Sequence, residues 1–274
     1  MLDRLVNIFF SFFLVVLFFS VAKADDHLRI LLALVLASFL AWSAFILNWL
    51  TYDGATAASI FGTIAFGLGG LTGALIVVAF FFTGSVASKD LISGDGFLEK
   101  RYRRNGIQVW ANGFWFALWI IVWFLSKVDA FLIAAIVSVA SATADTWATE
   151  LGGNRMKGKT WLITSGDVVE PGTDGGISIS GTLFSLLGAF LIASIFSLQS
   201  ELGTVTGALI VGIAGFLGSL ADSVLGATLQ HRQFSLGGLP SETLSLSIDN
   251  NWVNWLACGS ASVLALIITF SIGL

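Results

Sequence analysis

The stretch VDAFLIAAIVSVASATADTWATELGG (residues 128–153) decides how the chain is read. Its first part is apolar for long enough to cross a bilayer. It then carries Asp145 and Glu150 where the apolar run ends. Two acids at the end of an oily helix are costly, about 2.5–3.5 kcal/mol for an acid at the bilayer centre and less near the ends. Such acids call for a reason beyond packing.

The rest of the chain repeats the apolar pattern. Of 274 residues, 56 % are hydrophobic and 11 % charged, against about one quarter charged in a soluble domain. Apolar runs fall at 5–22, 29–50, 53–67, 71–87, 107–126, 129–147, 177–198, 204–228 and 252–273. A spanning helix needs about 20 such residues. No alternation of the kind a membrane β-barrel requires is visible. The reading is an all-α, polytopic membrane bundle of eight or nine helices, in contact with the lipid bilayer and not with nucleic acid. The glycine cluster at 67–70 breaks residues 53–87 into a hairpin, because one helix there would be about 50 Å long. The 53–67 run is short for a full crossing, which leaves a re-entrant path open. Residues 1–28 read as a signal peptide or an extra N-terminal membrane helix; the helices that follow at once favour a retained helix. Residues 29–274 read as one membrane domain.

With nine crossings, Lys23, Arg29 and Lys127 face one side and the other ten of the 13 Lys and Arg face the opposite side. The positive-inside rule makes that second side cytoplasmic. The long loops near 88–106, 148–176 and 229–251 all lie there. The lone cysteine, Cys258, cannot form an intrachain disulfide. There is a hint of an internal repeat: TADT (143–146) is like LADS (220–223), and TYDGA (51–55) is like GTDGG (172–176).

Ser138, Ser141, Asp145 and Thr149 share one helix face, as do Gly215, Ser219, Asp222 and Gly226. Each acid is followed by a hydroxyl residue and sits among small residues. An oxygen-only donor set suits a hard cation. Asp145, Asp222 and Asp174 are therefore the metal candidates, with Glu150 alongside them as a catalytic acid. The run GTDGGISISGT (172–182) offers glycine turns, hydroxyls and backbone N–H groups at a helix start, an anion site favoured by the helix dipole. It is not a Walker A loop. Gly172, Thr173, Gly175, Gly176 and Ser178, with Lys157 and Lys159, are the candidates for nucleotide phosphates. Arg103, Arg104, Gln108 and Asn112 form a basic and amide stripe entering a helix, and Asn250 and Asn254 a second amide pair. These are the candidates for an acceptor phosphate. Asp249 reads as a helix N-cap.

ADTWATELG, EPGTDGGISISGT, QVWANG, ADSVLGATLQ and SIDNNWVN, in that order over about residues 30–274, resemble the membrane family known as domain of unknown function 92. That family includes transmembrane protein 19 and the chloroplast phytyl-phosphate kinase of tocopherol synthesis. The resemblance implies an enzyme that converts an isoprenyl monophosphate to its diphosphate. DTWATELG with a glycine-rich helix start is more distantly similar to polyprenol kinases and phosphatidate cytidylyltransferases, which implies CTP as donor, with ATP the alternative; the acids, cations and glycine turns themselves point to Mg2+ as cofactor. The competing readings are a secondary transporter or channel, because glycine-broken helices and buried acids also build those, and a CTP-dependent lipid cytidylyltransferase.

Overall fold

The computed structural model describes residues 2–89, 103–153, 156, 158–236 and 244–274. Its helices are α1 (Leu2–Ser20), α2 (Ala24–Ile46), α3 (Tyr52–Gly67), α4 (Gly70–Lys89), α5 (Gly106–Ser126), α6 (Asp129–Trp147), α7 (Ile179–Gln199), α8 (Val205–Leu229) and α9 (Asn250–Ile272). Among the described residues, eight helices are long and apolar enough to cross a membrane. The exception is α3, with 16 residues. The chain is a polytopic helical membrane bundle.

The central helix is α6, which packs against α4, α5, α7, α8 and α9. Every residue from Leu132 to Ala144 on it is buried. Most of them are small, and small residues let helix backbones come close where no hydrophobic effect drives association. Glycines on the neighbours complete the fit. A methyl group at Gly188 of α7 would lie 3.0 Å from the Thr143 carbonyl oxygen, and one at Gly215 of α8 would lie 3.1 Å from the Ala140 carbonyl carbon. On the periphery, α2 turns Leu28, Leu32, Val35 and Phe39 outward, as a lipid-facing helix does. Helix α1 packs inward on α5, where Phe10 stacks on Trp110 at 4.7 Å and the Trp110 indole N–H donates to Asn7 Oδ1 at 2.6 Å.

Hydrogen bonds sort the loops into two layers. At one end Thr51 N donates to Arg104 O (3.1 Å), Arg104 N to Trp49 O (3.0 Å) and Gly106 N to Asp53 Oδ2 (2.8 Å). At the other end Arg29 Nε donates to Gly67 O (2.9 Å) and Thr72 Oγ1 to Gln199 O (3.1 Å). Helix α3 therefore runs back beside α2 from the first layer to the second, and it does not re-enter. It packs against α1, α2, α4 and α5. The turn to α4 falls at the expected glycines, with Gly70 at φ +63°.

Two features escape any reading of periodicity. Helix α6 continues into a π-helical turn, Ala148–Gly153. The loops of the first layer also carry short strands. β1 (Thr160–Leu162) pairs antiparallel with β2 (Val168–Val169) and β3 (Gly176–Ile177), and β4 (Gln233–Leu236) with β5 (Leu244–Ser247). Runs of two to four residues are too short to show an alternating pattern.

Candidate functional site

A cavity of about 670 Å³ opens in the first layer, where α5, α6, α7, α8 and α9 converge. The faces of α6 and α8 that carry Asp145 and Asp222 meet there, because Gly215 and Gly218 of α8 pack directly on Ala140 and Ser141 of α6. The charges form a series: Asp222 feels Asp145, Asp145 feels Glu150, and Glu150 faces Arg104. The Asn254 side-chain amide faces only acceptors on its α8 side, so its nitrogen is assigned there, where it donates to Asp222 Oδ2 at 2.9 Å and to Asn250 O at 3.2 Å. Asn250 also lines the cavity. Asn254 thus orients an acid rather than projecting freely. Asp249 is the N-cap of α9, accepting from Asn251 N (3.0 Å) and Trp252 N (3.1 Å).

Glu150 sits on the π-helical turn. A π-turn carries one more residue per turn than the α-helix before it, which rotates Glu150 toward α4, where Ser88 Oγ donates to its Oε1 at 3.1 Å. The turn rests on the start of α7: Ser180 Oγ donates to Gly152 O at 2.9 Å.

Arg104 enters from the α5 side. Its backbone is pinned to Trp49 and Thr51, and its guanidinium lies over Phe80 (5.7 Å) and Phe81 (5.8 Å) beside Gly84. Burial lowers its pKa from the ordinary value and the Glu150 carboxylate opposes that shift, so the group stays cationic at neutral pH. The amide stripe is partly self-satisfied. Asn105 and Gln108 form a reciprocal capping box at 3.0 and 2.9 Å, and Asn112 donates to Gln108 O at 3.0 Å. Asn105, the cap itself, was missed; an N-x-x-Q spacing before an apolar run is its signature.

The glycine loop borders the cavity but is not a free cradle. Thr173 N and Gly176 N are spent inside turns, on Glu170 O (3.1 Å) and Thr173 O (2.8 Å). Gly175, at φ +76°, is needed for packing: a methyl group there would lie 2.7 Å from Ser223 O. Gly172 has φ +89° and open space around it. Asp174 Oδ2 pairs with His231 Nε2 at 3.1 Å at the exposed rim. Ser178 caps α7, accepting from Gly181 N at 3.0 Å.

Among the proposed residues, Arg104, Gln108, Asn112, Asp145, Glu150, Gly172, Thr173, Asp174, Gly175, Gly176, Ser178, Asp222, Asn250 and Asn254 all line this one cavity. Arg103 does not. Lys159 lines a neighbouring groove instead, its Nζ 5.6 Å from the Trp161 ring. Lys157 lies outside the described residues. The sequence reading also missed Ser185, which lines the cavity, is buried, and has a hydroxyl without a hydrogen-bond partner. Its place one turn beyond Gly181 and Thr182 was a readable signal.

Among the described residues, the lining comprises four carboxylic acids and one cation, with no histidine or cysteine. Among the described residues, no three His, Cys, Asp or Glu side chains are grouped to hold a metal by themselves. The adjoining Asp145 and Asp222 nevertheless fit magnesium, which takes one or two carboxylates and completes its shell with water and substrate phosphate.

Residues 35–262 match the family model described as integral membrane protein DUF92. The chain belongs to this family. It is similar to the uncharacterized membrane protein MJ0933 of Methanocaldococcus jannaschii, with 33 % identity over 78 % of this chain and 88 % of the relative. It is also similar to protein VTE6, chloroplastic, of Arabidopsis thaliana (28 %; 78 % of this chain and 71 % of that protein) and to protein PGR of the same plant (29 %; 86 % and 94 %). No solved structure matches it.

Proposed function

We propose that this DUF92 protein is a membrane-embedded isoprenoid-phosphate kinase. It moves the terminal phosphoryl group of a nucleotide, CTP by preference, to a phytyl-phosphate-like polyprenyl monophosphate. The observation that carries the reading is the convergence of Asp145, Asp222, Glu150 and Arg104 on one polar cavity at the end of an apolar bundle. A lipid head and a soluble nucleotide meet at such a place. The family resemblance of the motifs around these residues supports the same reading, and the excess of Lys and Arg in the loops on this face supports a cytoplasmic site.

An oxygen of the lipid monophosphate forms the new P–O bond to the terminal phosphorus. The bond from that phosphorus to its bridging oxygen breaks, and the nucleoside diphosphate leaves. No general base is needed, because a phosphate monoester is largely dianionic at neutral pH. Asp145 and Asp222 are the residues that would hold magnesium, which when bound neutralises phosphate charge. Asn254 keeps Asp222 turned toward the cavity. Arg104 donates its fork of N–H groups to phosphate oxygens, and Glu150 with Ser88 fixes where that fork stands. Gly172 and Thr173 border the nucleotide side. Positioning and electrostatic stabilisation supply the rate.

The test is a screen of purified protein in detergent against isoprenyl monophosphates, magnesium and labelled CTP, ATP, GTP and UTP. The lipid diphosphate is the expected product. Absence of transfer with every nucleotide would sink the proposal.

A further inference from the structure

Two cavities share a wall at Ser178. The second, of about 550 Å³, is lined by Lys159, Trp161, Ile179, Leu183, Phe184 and Leu187, with little polar surface. Ile179, Leu183 and Leu187 recur at i, i+4 and i+8, so they form one stripe along α7. They are 70 %, 56 % and 56 % exposed. Because α7 is apolar and long enough to span, that stripe faces hydrocarbon rather than water. At its upper end Lys159 lies over Trp161, the pairing of amphipathic residues that gathers at a membrane–water interface.

We infer that this groove receives the isoprenyl tail of the molecule whose phosphate occupies the polar cavity, with the chain crossing over Ser178. The inference rests on the isoprenoid-phosphate reading. A substrate with a charged head and a long apolar tail needs a polar and an apolar site that adjoin, and the apolar one must open sideways so that the tail never crosses water. The groove meets both conditions. Trp161 and Phe184 are broad surfaces for the methyl branches of the first isoprene units. The stripe rises about 12 Å along α7 at 1.5 Å per residue. Beyond Leu187 the tail lies in the bilayer, so the protein senses only its first units. KM therefore falls as the tail lengthens and then levels off.

The experiment uses the full chain in detergent with farnesyl monophosphate carrying a diazirine near its head. Photolabel is expected on residues 179–187, displaced by unlabelled farnesyl monophosphate and not by phosphatidylglycerol. Label elsewhere, or equal displacement by the phospholipid, overturns the inference. In parallel, Leu183→Trp should fill the groove and displace about two methylenes' worth of tail contact, raising KM for farnesyl monophosphate about tenfold and raising KM for dimethylallyl monophosphate much less. Equal loss on both substrates, or on neither, also overturns it. If no nucleotide supports transfer at all, the kinase reading falls, and the photolabel alone then decides the groove.

Discussion

Gly152→Ala, set against Gly153→Ala, tests whether the π-helical turn is seated as described. A methyl group at Gly152 would lie 2.6 Å from Gly181 N and 2.9 Å from Ser180 C, and closer still to Gly181 Cα. At the adjacent Gly153 the nearest atom would be Ala148 O at 3.7 Å. Carbon contacts are comfortable at about 3.5–4.0 Å, so the first substitution forces two backbones apart by roughly 1 Å. Overpacking of that kind costs about 1–3 kcal/mol. The turn that moves carries Glu150, bonded to Ser88 and facing Arg104. A 1 Å displacement of positioning groups costs about 100-fold in rate. Thermal unfolding in detergent and phosphoryl transfer are the two readouts. Gly152→Ala should melt clearly below wild type and lose about two orders of magnitude in turnover, and Gly153→Ala should melt with wild type. A Gly152→Ala protein that melts with wild type would refute the close seating of this turn on α7.

Asn254→Ala removes the donor to Asp222 and should raise the magnesium concentration for half-maximal activity about 10–100-fold, as loss of such orienting partners does; titration of activity with magnesium checks it. Chelation with EDTA should abolish transfer and added magnesium restore it, with no change in helicity by circular dichroism. Asp249→Ala should lower stability by about 1 kcal/mol through loss of the α9 cap, measured by thermal unfolding. His231→Ala should change stability by less than about 1 kcal/mol, because its pair with Asp174 is exposed.

The helices were legible because hydrocarbon imposes length and composition directly. The glycines at 67–70 broke α3 from α4 as expected, and the spacing put Asp145 and Asp222 each on a face of small residues, the faces by which α6 and α8 pack together. What remained hidden depended on local backbone bonding. Gln108 read as a site residue, yet its side-chain Oε1 also closes a capping box by accepting from Asn105 N. The 172–176 loop read as a phosphate cradle, yet two of its amides and Gly175 serve turns and packing on α8. Asp174 read as a metal candidate, yet it pairs with His231 from a distant loop. The π-turn leaves no mark in composition, although it sets where Glu150 points.

Donors labelled at the α- or the terminal phosphate, given with an isoprenyl monophosphate to wild type and to Asp145→Asn, test the central claim most directly. The account predicts terminal label in a lipid diphosphate, lost in Asp145→Asn while the protein stays folded. Label from the α-phosphate in a nucleotidyl lipid with release of pyrophosphate, or undiminished transfer by Asp145→Asn, would contradict it.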